Sequence, residues 1–119
     1  ANAHFTLNVL RYLRSAANPA EAQVIRPFLL HPQPSVRLAA YEFLLTLYYP
    51  DKNREALLQL LQNMLSDSED AIRAAGARYA DQADVAAELR SFLLRWQKTA
   101  PGQGWANTES FELVGRLLN

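Results

Sequence analysis

Two histidines, six serines and one run of carboxylates are the side chains here that could do chemistry, and their spacing argues against most of it. His4 lies near one end and His31 in a turn before Pro32. Neither has a second histidine or a carboxylate at i, i+3 or i+4, and without cysteine zinc lacks a ligand cluster. Local turn hydrogen bonding accounts for His31. Ser15, Ser35, Ser66, Ser68, Ser91 and Ser110 have no base or nucleophile-elbow context, and several sit where helix caps belong. Asp67, Glu69 and Asp70 form a carboxylate cluster, yet the twelve-residue calcium loop with its central glycine and closing glutamate is missing. Acidic residues at a helix start are ordinary partners of its positive end. Gly102-Gln103-Gly104 follows a helix rather than a strand and lacks the third glycine of a dinucleotide fingerprint. The expectation is a non-enzyme with no catalytic residue, no cofactor and no metal.

The totals point the same way. A chain of 119 residues fits one domain, 1–119, that hides roughly 65% of the surface its unfolded form exposes. Twelve basic residues balance twelve acidic ones, so no global field holds phosphates, and nucleic acid is not the default partner. The chain opens ANAHFTLNVL without an initiator Met and reads as a piece of something longer; it shows no signal peptide. No window approaches eighteen consecutive apolar residues, so no membrane partner is expected. The absence of cysteine leaves the redox compartment open, with a slight lean to the cytoplasm. Oligomeric state has no signal.

Apolar residues recur at helical spacing almost throughout, which makes the chain all-α with about seven helices. The first covers 5–15 (FTLNVLRYLRS). Asn18-Pro19 caps a second that runs to about Leu30, with Pro27 inside it as the source of a kink. Ser35 caps a third helix that reaches Tyr49 and stops at Pro50, and Asp51 caps a fourth with Leu57, Leu60, Leu61, Met64 and Leu65 on one side. Asp67 to Asp70 lead into a fifth that ends near Ala80. Val85, Leu89, Phe92, Leu93 and Trp96 form the stripe of a sixth, Pro101-Gly102 turns within a loose loop, and 110–118 is the seventh.

Shifted by 36 residues, the chain resembles itself. HPQPSVRLAAYEF (31–43) falls on DSEDAIRAAGARY (67–79): Val36-Arg37 on Ile72-Arg73, Ala39 on Ala75, Ala40 on Gly76, Phe43 on Tyr79. Upstream, Val24, Ile25, Phe28 and Leu29 fall on Leu60, Leu61, Met64 and Leu65. The small residues allow close helix approach. Arg37 and Arg73, just inside helix starts, are poor matches for a positive helix end, so each is expected to pair with a turn carboxylate or carbonyl, the alternative being an anion. For Arg73 the candidates are Asp67, Glu69 and Asp70.

The proline within a first helix (Pro27), the short polar turns (HPQPS, SDSED) and the Val/Ile-Arg-x-Ala-Ala openings (VRLAA at 36–40, IRAAG at 72–76) resemble the HEAT repeat family. The resemblance covers 19–49 and 54–80. It departs where no proline matches Pro27 in the second copy, where His31 replaces the turn aspartate present as Asp67, and over 82–118. It implies a short right-handed α-α superhelix, a solenoid of stacked helix pairs, and a non-catalytic scaffold or adaptor that binds a peptide or another protein domain.

Two features could serve such binding. The third helix carries one apolar stripe of Val36, Ala40, Phe43, Leu44 and Leu47 and a second of Tyr41, Leu45, Tyr48 and Tyr49, either sandwiched between neighbours or presented to a partner. Trp105 either folds back beside Phe111 or anchors another chain. The expected partner-binding residues are therefore Tyr41, Leu45, Tyr48, Tyr49 and Trp105. Two rivals stand beside this reading: a docking region excised from a larger enzyme, and a HEAT-like nucleic-acid binder that gathers Arg11, Arg14, Arg37 and Arg73 on one face.

Overall fold

The computed structural model describes residues 22–48 and 53–119. The expected helix at 5–15, the Asn18-Pro19 cap and Tyr49 to Asp51 lie outside them. Among the described residues every element is helical and there is no strand: α1 (Ala22–Ile25), a 3-10 turn (Arg26–Leu30), α2 (Pro34–Tyr48), α3 (Arg54–Leu65), α4 (Asp70–Gln82), α5 (Arg90–Thr99), a second 3-10 turn (Ala100–Gln103) and α6 (Glu109–Leu118). The chain divides into two units, Ala1–Leu60 and Leu61–Asn119, with α3 running across the division. No helix among the described residues is long and apolar enough to cross a membrane.

In the first unit Pro27 does not kink an α-helix; it changes the winding. Proline has no N–H for the carbonyl four residues back, and its ring crowds that turn. The chain therefore leaves α geometry at Ile25 and continues as a 3-10 turn with Pro27 near its start, closed by the His31 N–H on the Phe28 carbonyl at 3.1 Å. Ser35 is not the cap expected of it. Pro34, pre-set in φ and without an N–H to satisfy, takes the first helical position, and Val36 and Arg37 both donate to the Gln33 carbonyl at 3.1 Å. Helix α2 buries Val36, Ala39, Ala40, Tyr41, Phe43, Leu44 and Leu45, so both apolar stripes contribute to burial. The cap described for α3 is Asn53, whose Oδ1 accepts the Ala56 N–H at 3.2 Å.

In the second unit α4 packs chiefly against α6, and α5 against α6 and the second 3-10 turn. Two helix ends share one closing geometry. After α4, Val85 N–H reaches the Ala80 carbonyl and Asp84 N–H the Asp81 carbonyl, each at 3.1 Å, with Asp84 left-handed at φ 55°. After the second 3-10 turn, Trp105 N–H reaches the Ala100 carbonyl and Gly104 N–H the Pro101 carbonyl, each at 3.0 Å, with Gly104 at φ 83°. Both are Schellman closures, in which the residue after the left-handed one turns its apolar side chain back onto the helix. Val85 is accordingly fully buried. The stretch TAPGQGWAN is thus an ordered closure rather than a loose loop.

After the left-handed step at Asp84, α5 begins at Arg90, later than the apolar stripe implies. The register survives, because Leu89 donates to the Val85 carbonyl at 3.1 Å and Leu93 to that of Leu89 at 2.8 Å. Val85, Leu89, Leu93 and Trp96 are all buried. Across the same unit, Trp96 Nε1 donates to the Leu65 carbonyl at 2.6 Å, satisfying an end of α3 that its own helix leaves open.

At Gly76 α4 comes close against the end of α3. A Cβ there would stand 2.9 Å from Met64 Cβ and 3.4 Å from the Leu65 backbone nitrogen, neither of which can swing away. Alanine would gain about 1 kcal/mol in helix propensity but overpack a filled site at a cost of about 1 to 3 kcal/mol. Gly76→Ala should therefore lower the urea midpoint, by about 1 kcal/mol in stability, whereas Gly102→Ala, with nothing within 4 Å, should lie within experimental error. A stabilised Gly76→Ala protein would show that the helices do not approach as described.

Candidate functional site

The feature that organises each unit is an arginine folded back over the turn that precedes its helix. Arg37 Nη1 donates to the carbonyls of His31 at 2.9 Å and Pro32 at 3.3 Å. Arg73 Nη1 donates to the carbonyls of Asp67 at 2.8 Å and Ser68 at 2.9 Å. The offsets are six and five residues in both cases, and the two sets lie 36 residues apart.

The turns themselves match at the same shift. His31 Nδ1 accepts the Gln33 N–H at 3.0 Å, and Asp67 Oδ1 accepts the Glu69 N–H at 2.9 Å. Ile72 and Arg73 both donate to the Glu69 carbonyl at 3.1 Å, as Val36 and Arg37 do to that of Gln33. An imidazole nitrogen thus does in one turn what a carboxylate oxygen does in the other, so His31 fills the aspartate's hydrogen-bonding role.

Arg73 goes further. It is 2% exposed, and its other two nitrogens are also engaged: Nε on Ser110 Oγ at 3.2 Å and Nη2 on Asp70 Oδ1 at 3.1 Å. The Trp105 ring covers the guanidinium face at 3.9 Å from its centroid. Asp70 in turn accepts the Ser110 N–H at 3.3 Å. Thr108, not Ser110, caps α6: its Oγ1 accepts the Phe111 N–H at 3.3 Å, and its hydroxyl donates to the Trp105 carbonyl at 2.8 Å. Burial works to raise the Asp70 pKa, but the Ser110 hydrogen bonds and the Arg73 charge outweigh it and hold the carboxyl below its ordinary 3.8. A cation this deep is tolerated because its donors and its face are matched.

Beside this knot lies a cleft of about 400 Å³, lined by Ser66 together with Phe92, Arg95, Trp96, Thr99, Gln103 and Trp105. Helix α5 supplies most of one wall through residues three, four and seven apart, and the closure at Gly104 places Trp105 on the other. Trp105 stands 5.9 Å from Trp96, centroid to centroid, and Trp96 stands 6.3 Å from Phe111. Trp105 is half-buried. A second cleft of about 340 Å³ lies between α4 and α6, between Arg78, Asp81 and Arg116. Arg78 pairs with Glu109, and Arg116 with Glu112 at 2.6 Å.

The expected binding residues that are described fall into three settings. Tyr41 and Leu45 are buried, each 5% exposed. Tyr48 is half-buried, and its hydroxyl accepts from Arg26 Nη2 at 2.6 Å. Tyr49 lies outside the described residues. Trp105 borders a cleft, and it is brought together there with Phe92, Arg95 and Gln103, which are not among the expected binding residues. Phe92 reads as one more member of an apolar stripe, and nothing local signals that Arg95 and Gln103 converge on an indole ten and two residues away. Among the described residues no group of three His, Asp or Glu side chains could hold a metal ion.

Arg73→Ala should cost about 3 kcal/mol in stability, because the Asp67 and Ser68 carbonyls and the Asp70 carboxylate lose their shared donor and the space that the buried side chain fills is emptied. Arg73→Lys should recover little of it, since an ammonium lacks the planar fork. Full rescue by lysine in urea melts would show the charge alone suffices. Asp70 also sets an acid response: its pKa is depressed on folding, so its contribution is present above the ordinary value and is lost as pH falls through the lower folded one. Below about pH 4 the wild type should lose more stability than Asp70→Asn, a contrast that equal acid midpoints would refute. A scan against protein-family models finds no match to the chain, and neither a search of curated proteins nor one of solved structures finds one.

Proposed function

We propose that the chain is a non-catalytic scaffold of HEAT type, in which helix pairs stack in register as a short right-handed solenoid and a peptide or protein domain docks on the helical surface. One observation carries this: the arginine-to-carbonyl hold, its turn and its helix start recur at 36 residues with the same donors and acceptors. Recurrence of a whole hydrogen-bonded unit is the mark of repeat architecture, where each pair is too thin to bury its apolar face without a neighbour. The nucleic-acid rival is weakened by the same bonds. Arg37 and Arg73, two of the four arginines it needs, direct guanidinium donors at backbone carbonyls.

Repeat arrays unfold as coupled neighbours and not as one block. Native-state hydrogen exchange should therefore resolve two opening free energies, one for α2 and one for α4, and Arg73→Ala should lower protection in α4 more than in α2. A single opening that moves both helices equally in the variant would remove the repeat reading. For the docking half, cross-linking mass spectrometry on the intact chain in extracts of its source should return links to another polypeptide, and links to nucleic acid in their place would favour the rival.

A further inference from the structure

We propose that the cleft between α5 and Trp105 is a docking site for a linear peptide that carries a carboxylate next to a large apolar side chain. The inference rests on the reading of the chain as a protein-binding module and names its site and partner chemistry. Three observations converge. The cleft of about 400 Å³ has Phe92, Trp96 and Trp105 in its walls, the residue types that dominate protein-binding hot spots. Arg95, also in the wall, is exposed, and its guanidinium has no hydrogen bond or ion pair among the described residues. The other arginines flanking the clefts of this unit are engaged: Arg73 within its knot, Arg78 on Glu109, Arg116 on Glu112.

The third observation is charge. In a chain of zero net charge, the stretch from Leu89 to Thr108 holds Arg90, Arg95 and Lys98 and no carboxylate. Of the residues that line the cleft Arg95 is the charged one, so the wall is cationic at that point and its complement there is acidic. A guanidinium with a free fork, next to an aromatic wall, matches a carboxylate whose neighbouring side chain enters the cleft. A peptide is favoured over single-stranded nucleic acid by the same geometry. One face of the Trp105 ring is already covered by Arg73 at 3.9 Å and Trp96 is 5% exposed, which leaves little ring surface on which successive bases could stack.

The test uses the intact chain and a phage-displayed random peptide library, followed by fluorescence anisotropy on the enriched peptides. The expected result is enrichment of sequences with Asp or Glu within two positions of an aromatic or large aliphatic residue. Arg95→Gln should weaken their binding about tenfold or more, the usual loss for one charge-assisted contact. Lys98→Gln, on the same helix but outside the cleft wall, should bind within about twofold of the wild type. Both changes are at exposed positions, and circular dichroism checks that each variant is folded. Equal losses in the two variants would mean diffuse attraction and overturn the site. So would enriched peptides without acid, peptides indifferent to Arg95→Gln, tighter binding of a twenty-base oligothymidine, or no enrichment at all. None of these bears on the hydrogen-exchange result, so the cleft can fail while the repeat reading stands.

Discussion

Everything described in the second unit depends on one interaction: a buried guanidinium that holds the turn it has just left. Removing a cation from water costs several kcal/mol even after relaxation, a large share of the 5 to 15 kcal/mol by which domains are stable at all. Arg73 is tolerated at 2% exposure because two turn carbonyls, a carboxylate, a hydroxyl and an aromatic face surround it. The consequence is structural reach. The fork joins the start of α4 to the start of α6 through Ser110 and to the closure before it through Trp105, so three separate stretches acquire their positions from one side chain.

The two left-handed closures complement that hold. A Schellman end reverses the chain and points the next apolar residue inward, and here those residues are Val85 and Trp105. Val85 begins the buried stripe that α5 continues, and Trp105 meets both Arg73 and Trp96. Asp84 and Gly104 thus determine where the aromatic cleft opens, although neither borders it. Asp84 shows that a short polar side chain can occupy a conformation more often left to glycine.

What could be read from residue order was whatever is encoded locally. Helical spacing identified the all-α class, and the shift of 36 residues aligned Arg37 with Arg73 and pointed both toward their turns, where the bonds are found. The substitution of His31 for an aspartate looked like a departure from the pattern only because residue names hide the acceptor atom they share. Other features depend on three-dimensional context. The late start of α5 after Asp84 and the seating of Trp105 on Arg73 follow from backbone closure and distant contacts that no periodicity carries. The same holds for the candidate site: Trp105 stood out as a lone indole, but its cleft is assembled from residues that look ordinary along the chain. The tyrosine-bearing second stripe of the helix was legible as apolar, and burial of Tyr41 and Leu45 places that part of it in the interior.

The aromatic residues are also unevenly allotted. Both tryptophans, Trp96 and Trp105, belong to the second unit, while Tyr12, Tyr41, Tyr48 and Tyr49 fall in the first and Tyr79 alone in the second. The molecule therefore carries its own pair of optical labels: indole emission reports on one half of the chain, and phenol absorbance is weighted toward the other, so the order in which the halves melt is open to spectroscopy without any added dye.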